Sequence, residues 1–182
     1  MLEKDTVTIY PLKEELVNDI NKTNDDFDVF GKVVPRLQDG KWSFEEVLFD
    51  EAKEIRFPDD KLDWSQYIRS EEKALFLAYQ NNVCIGQVRI IRDQNRFCYI
   101  ENIATVKEYR QHGIGNQLLN QAEEWAKKHQ LIGMSLETQD DNLRACRFYV
   151  NQGFILGGAD TLKQSVNPTI ETTLYWYKIF GE

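Results

Sequence analysis

Basic charge is in short supply in this chain. Twenty-two Lys and Arg face thirty Asp and Glu, for a net charge of −8 over 182 residues. Nucleic-acid binding needs a basic stripe to neutralise phosphates, so that class is disfavoured. An acidic surface attracts cations instead. Histidine is scarcer still, at two residues, His112 and His129. Three cysteines, Cys84, Cys98 and Cys146, form no Cys-x-x-Cys pair and no metal-ligand spacing. An odd, scattered set of this kind fits reduced packing thiols better than a disulfide frame or a nucleophile with its base. No metal is expected. Apolar runs of membrane-spanning length are missing, and Met1-Leu2-Glu3-Lys4-Asp5 places charges where a signal peptide is apolar. These absences point to a cytoplasmic chain with no nucleic-acid or membrane partner.

What is there suits one well-formed core. Apolar residues make up 42% and aromatics 12%, enough to bury a globular interior at this length. Repeats and linkers are not evident. Pro11 is expected to open a helical stretch to Lys22, with Leu12, Leu16, Val17 and Ile20 at helical spacing. Residues 1–26 therefore read as an N-terminal extension with a short helix, and 27–182 as the main domain. Phe27 to Arg36 alternates as a strand, with Phe27, Val29, Gly31 and Val33 on one face. Residues 42–68 interleave carboxylates with Trp42, Phe44, Phe49, Phe57, Trp64 and Tyr67. They read as a solvated helix-loop segment that, as acidic plus aromatic, also suits a polar cation.

The second half is clearer. Ala74 to Tyr79 and Val83 to Ile91 make a hairpin across Asn81-Asn82. Phe97 to Val106, Leu131 to Thr138, Phe154 to Ala159 and Thr172 to Phe180 follow as strands. Between them lie two helices. One runs from Ile114 to His129 with Ile114, Leu118, Leu119, Ala122, Trp125 and Ala126 on its apolar face. The other runs from Asn142 to Asn151, capped by Asp141 or Asn142. The order implies an α/β fold with a mixed sheet covered by helices on both faces.

Arg110-Gln111-His112-Gly113-Ile114-Gly115 sits between a strand and an amphipathic helix. Glycines at a helix mouth leave unpaired N–H groups uncovered, at the positive end of the helix dipole. Such a turn wraps a phosphate or pyrophosphate. A strand Ile100 to Val106 precedes it, Leu136 to Asn142 follows one helix and one strand later, and Arg147 to Phe154 ends in Tyr-x-x-x-Gly-Phe. In this order the three segments resemble the GCN5-related N-acetyltransferase (GNAT) superfamily, over roughly Phe27 to Phe180. The resemblance implies a mixed, mostly antiparallel sheet whose splay holds acetyl-CoA, and it makes 27–182 the acetyltransferase domain. It implies that the backbone of Gln111, His112, Gly113, Ile114, Gly115 and Asn116 holds the coenzyme pyrophosphate. It further implies that Ile103, Ala104 and Val106 pair with the pantetheine arm, with Val106 and its neighbours orienting the thioester, and that Asn142 touches the arm. Gln111 departs from the small residue common after the arginine, with little effect expected where backbone does the binding.

Transfer to an amine needs a base and an acid. An ammonium of pKa near 10.4 costs about 4.6 kcal/mol to deprotonate at pH 7, and a carboxylate can relay that proton. The resemblance gives Tyr149 the role of acid to the departing thiolate. Glu137, twelve residues earlier, matches family members with a glutamate on this strand; Glu101, on the neighbouring strand, competes, and ordered water is a third route. Within the superfamily the signature from Tyr99 to Ala104, that from Glu137 to Tyr149, the tail Tyr175-Trp176-Tyr177, and the early Gly31 to Arg36 and Trp42 to Phe44 are most similar to streptothricin acetyltransferases, which acetylate the β-lysine arm of that antibiotic. The implied partner is a cationic small molecule. Another amine (a polyamine, an aminoglycoside or a protein N-terminus) and a non-catalytic coenzyme A-binding module stay open, as does a homodimer.

Overall fold

The computed structural model describes residues 6–167 and 169–181. The charged start read above against a signal peptide, residues 1–5, lies outside them. In chain order come β1 (Thr8–Pro11), a 3-10 turn (Glu14–Asp19), β2 (Phe27–Gln38), β3 (Lys41–Ile55), a second 3-10 turn (Trp64–Tyr67), β4 (Lys73–Gln80), β5 (Val83–Arg92) and β6 (Phe97–Thr105). A third 3-10 turn (Lys107–Tyr109), α1 (Ile114–Lys128), β7 (Gly133–Gln139), α2 (Leu143–Asn151), β8 (Ile155–Asp160) and β9 (Thr173–Ile179) complete the chain. Contacts divide it into two compact units, residues up to Asp26 with Arg56–Met134, and Phe27–Ile55 with Ser135 onward. Among the described residues no helix is long and apolar enough to cross a membrane.

The first unit is built on the strand order β1-β4-β5-β6, each pair antiparallel. Asn81 (φ 49°) and Asn82 (φ 62°) turn β4 into β5. Two successive left-handed residues are what a tight hairpin needs, and asparagine tolerates them. α1 lies across β4, β5 and β6 and buries the six residues expected of its apolar face. Each large side chain so buried contributes about 1.5–3 kcal/mol. Gly86 allows that close approach, since a Cβ there would stand 3.0 Å from both Ile114 Cγ2 and Leu118 Cδ1. The expected helix from Pro11 is shorter and tighter than its apolar spacing suggests. Pro11 ends β1, the next N–H, of Leu12, donates to the Leu75 carbonyl, and only Glu14–Asp19 coils, as a 3-10 turn. Leu12 and Ile20 still bury against Tyr67, Leu75 and Leu77.

The second unit holds the strand order β7-β9-β8, with β8 and β9 antiparallel, and a separate hairpin of β2 and β3. Val29, Gly31 and Val33 of β2 are buried, as their alternation predicts. The structure corrects the helix-loop reading of residues 42–55: they form β3, a fifteen-residue strand. Trp176 anchors the interior, fully buried, with its indole N–H donating to Thr138 Oγ1 (2.9 Å) and Phe44 edge-on at 5.7 Å. Leu143 and Cys146 of α2 are buried in the same unit, as Cys98 is in the first.

Candidate active site

The glycine turn is held open by its neighbours. Arg110 sends Nη1 to the Asp26 carbonyl (2.7 Å) and Nε to the Thr105 carbonyl (3.1 Å), so its charge braces the loop. Gln111 (φ 64°) and Gly113 (φ 81°) adopt the left-handed region, and Gly113 is the N-cap of α1. Alternating hands point successive N–H groups into one concavity, which suits an anion. No side chain caps this end of α1, no acid occupies its first turn, and a Cβ on Gly113 would meet nothing within 4 Å. The His112 ring Nδ1 folds back to the Arg110 carbonyl, at 2.8 Å. Ile114 buries beneath the turn, while Gly115 and Asn116 follow it in the first helical turn. The residues present therefore fit a pyrophosphate bound through backbone.

The strand before the turn is more selective than its motif. Val106 N–H donates to the Ile85 carbonyl (3.0 Å), and the Val106 carbonyl accepts from Tyr109 N–H (2.9 Å), so its backbone is engaged within the chain. Hydrogen-bonded pairs alternate along an antiparallel ladder. With Val106 and Ile85 such a pair, Ala104 and Gln87 form the next one. Ile103 and Thr105 consequently turn their backbone away from β5. Of the three residues read from the motif, only Ile103 faces outward; Thr105, which the motif reading passed over, joins it. The ladder's parity shows this once the β5–β6 register is known.

Glu101, on β6, is the most heavily held of the candidate groups. Its Oε2 accepts from the Tyr67 hydroxyl (2.5 Å) and from Arg89 Nε (3.1 Å). Arg89 is buried, sends Nη2 to Asp60, and stands 5.7 Å from the Trp64 ring centroid. Burial, followed by the Glu101 carboxylate, pushes the Tyr67 phenol well above its ordinary range. This network was not foreseen. Its signal was Arg89, the only charged residue in the apolar run from Val83 to Ile91. Residues 42–68 thus do not act as one segment: Asp60, Trp64 and Tyr67 reach this cluster, whereas Glu45 and Glu46 on β3 pair with Arg36 and Arg147.

In the second unit, Glu137 sits on β7 and accepts from Lys163 Nζ. Burial is the largest influence on Lys163 and opposes its charge, but the hydrogen bond it donates to Glu137 and the negative charge of Glu137, with smaller help from Tyr175 and Asp160, together outweigh burial and raise its pKa. Tyr149 on α2 is buried, 5.3 Å from Phe148 and 5.5 Å from Phe154 between ring centroids, both edge-on. Asn142 caps α2, its Oδ1 accepting from Ala145 N–H at 3.3 Å. Glu137, Tyr149 and Asn142 thus share one unit, and Glu101 belongs with the glycine turn in the other. The thiols are unsuited to attack: burial pushes Cys98 up to about 12 and Cys84 and Cys146 up to about 11.

Residues 37–154 match the model of the acetyltransferase (GNAT) family. Streptothricin acetyltransferase A of Bacillus subtilis (strain 168) is 42% identical over 165 residues, 90% of this chain and 95% of that protein. Streptothricin acetyltransferase of Escherichia coli is 34% identical over 113 residues, 61% of this chain and 65% of that protein. A Bacillus anthracis str. Ames protein assigned as a streptothricin acetyltransferase, solved with acetyl coenzyme A, superposes with a TM-score of 0.89 at 29% identity. That match covers 96% of this chain and 100% of that one.

Proposed function

The chain belongs to the acetyltransferase (GNAT) family and is an N-acetyltransferase that uses acetyl-CoA, and from that footing we propose that it acetylates an amine of the β-lysine moiety of streptothricin and so gives resistance to the antibiotic. The observation that carries this reading is the near full-length likeness to streptothricin acetyltransferase A. The acid-rich composition and the Glu101–Asp60 carboxylates, held beside Tyr67 and Trp64, support a cationic acceptor. The enzyme works in the cytoplasm.

In this proposal acetyl-CoA supplies an activated acetyl group. The backbone N–H groups from Gln111 to Asn116 hold its pyrophosphate, Ile103 and the N–H of Thr105, whose carbonyl is taken by Arg110, pair with its extended arm, and Asn142 touches the arm beside its capping role. Transfer is direct, with both substrates bound together. Glu137 takes the ammonium proton, alone or through water, making the amine nucleophilic. An outward N–H on β6 steadies the developing oxyanion. Tyr149 returns a proton to the departing thiolate. Glu101, with two donors already on one oxygen, binds cationic charge and leaves the proton to Glu137.

Mass spectrometry of streptothricin after incubation with the protein and acetyl-CoA tests the reading. One added acetyl group on the β-lysine moiety, with little in a Tyr149→Phe control, is the expected result. Unmodified antibiotic under conditions where acetyl-CoA binds would overturn the substrate while leaving the family standing.

A further inference from the structure

One carboxylate of the proposed machinery is already engaged by the chain's own ammonium. Asp160 ends β8, and its Oδ1 accepts from the N–H groups of Leu162 (2.8 Å) and Lys163 (2.9 Å). Those bonds build a side-chain-closed turn. Lys163 leaves the turn with Nζ 5.5 Å from the Tyr175 ring centroid and donating to Glu137 Oε1. An anion together with an aromatic ring is how proteins hold a primary ammonium. The Lys163 side chain is 40% exposed and that of Glu137 25%, so the lysine can swing into water without burying its charge.

We propose that Glu137 and Tyr175 form the primary-ammonium subsite for the acceptor, and that Lys163 is a built-in competitor which the incoming amine displaces. The inference rests on the assignment of Glu137 above. Occupant and ligand have the same chemistry, an ammonium on a flexible methylene stem. Exchanging one for the other gains little by itself, because the ion pair formed replaces the ion pair lost. Net affinity then comes from the rest of the acceptor. A small monoamine has nothing further to offer, whereas a polycation has additional charges for other carboxylates. Lys163 on this account sets specificity by raising the threshold that an amine must clear.

Two variants separate charge from bulk. Lys163→Met keeps most of the stem and removes the ammonium; Lys163→Arg keeps a cation. With streptothricin and acetyl-CoA, Lys163→Met should lower the KM for the antibiotic about two- to fivefold, the range a partly exposed ion pair is worth. Its kcat and its KM for acetyl-CoA should stay near wild type, and Lys163→Arg should stay near wild type throughout. A second readout needs no turnover. Amine-reactive labelling of Lys163, followed peptide by peptide, should be slow in the free protein and faster with saturating streptothricin alone. An unchanged or raised KM in Lys163→Met, or labelling indifferent to the antibiotic, with wild-type turnover intact, overturns the competitor and spares the function. Absence of turnover in the wild-type chain overturns the functional reading, and this inference with it.

Discussion

Glu101 and Glu137 are the same residue type in different restraints. Glu101 Oε2 faces a phenol and a buried guanidinium, whereas Glu137 meets one lysine on a surface turn. Only a group that must be ionised to accept the substrate proton imposes loss of rate as pH falls. In pH–rate profiles, Glu137→Gln should therefore lose the acidic limb. Glu101→Gln should keep that limb and raise the KM for the amine; the reverse pattern would exchange the two roles. Tyr149→Phe should lower kcat about 10²-fold or more with acetyl-CoA affinity unchanged, and undiminished turnover would remove Tyr149 from the acid role. At this scale a motif is what singles out Glu137 and Tyr149 as candidates in the sequence. The sequence marked Arg89 only as a lone charge in an apolar run and was silent on Lys163, because each matters through partners at least twelve positions away.

The turn between β6 and α1 carries its function in backbone conformation. Gly113 at φ 81° occupies a region that a β-branched residue enters only under strain, and its missing side chain leaves the concavity clear. Gly113→Val should abolish acetyl-CoA binding by calorimetry, while the far-UV circular dichroism stays near wild type; normal binding would sink the turn as the pyrophosphate site. This element, α1 and the β4–β5 hairpin were readable because periodicity and turn chemistry agree there. The strand β3 was not, for a physical reason. Residues 45–54 are exposed throughout, so no alternation of burial marks them, and β3 is held by its backbone pairing with β2. The 3-10 turn at Glu14–Asp19 escaped notice differently. Leu12 and Ile20 bury on either side of it and Leu16 and Val17 within it are partly buried, but across a strand end and a short coil, so their spacing imitates an α-helix.

For the molecule as a whole, acidity has a cost as well as a use. Asp140 and Asp141 are buried, and that burial raises both carboxyls above their ordinary range. A carboxyl raised on folding binds protons more readily in the folded state. It therefore weighs against stability once pH exceeds its folded pKa, and the penalty lifts on acidification. Asp19, Glu46 and Asp160 are lowered, and their contributions run the other way, present at neutral pH and lost in acid. Asp141 has, in addition, a buried Oδ1 with no hydrogen-bond partner. Asp141→Asn should accordingly raise the melting temperature at pH near 8, with the gain shrinking as pH falls toward the usual carboxylate range of about 4. A gain that grew in acid would contradict the burial account.

The buried thiols give the protein two internal clocks. Cys98 belongs to the first compact unit and Cys146 to the second, and neither meets solvent while its own unit is closed. A thiol reagent in excess should modify the partly exposed Cys84 first. Thereafter each buried cysteine is labelled only as fast as the structure around it opens. Labelling Cys98 and Cys146 separately, with and without acetyl-CoA, would time the opening of each unit. Because the glycine turn lies in the unit of Cys98 and Asn142 in that of Cys146, coenzyme binding should slow both clocks, and the two rates would show how much each unit is steadied.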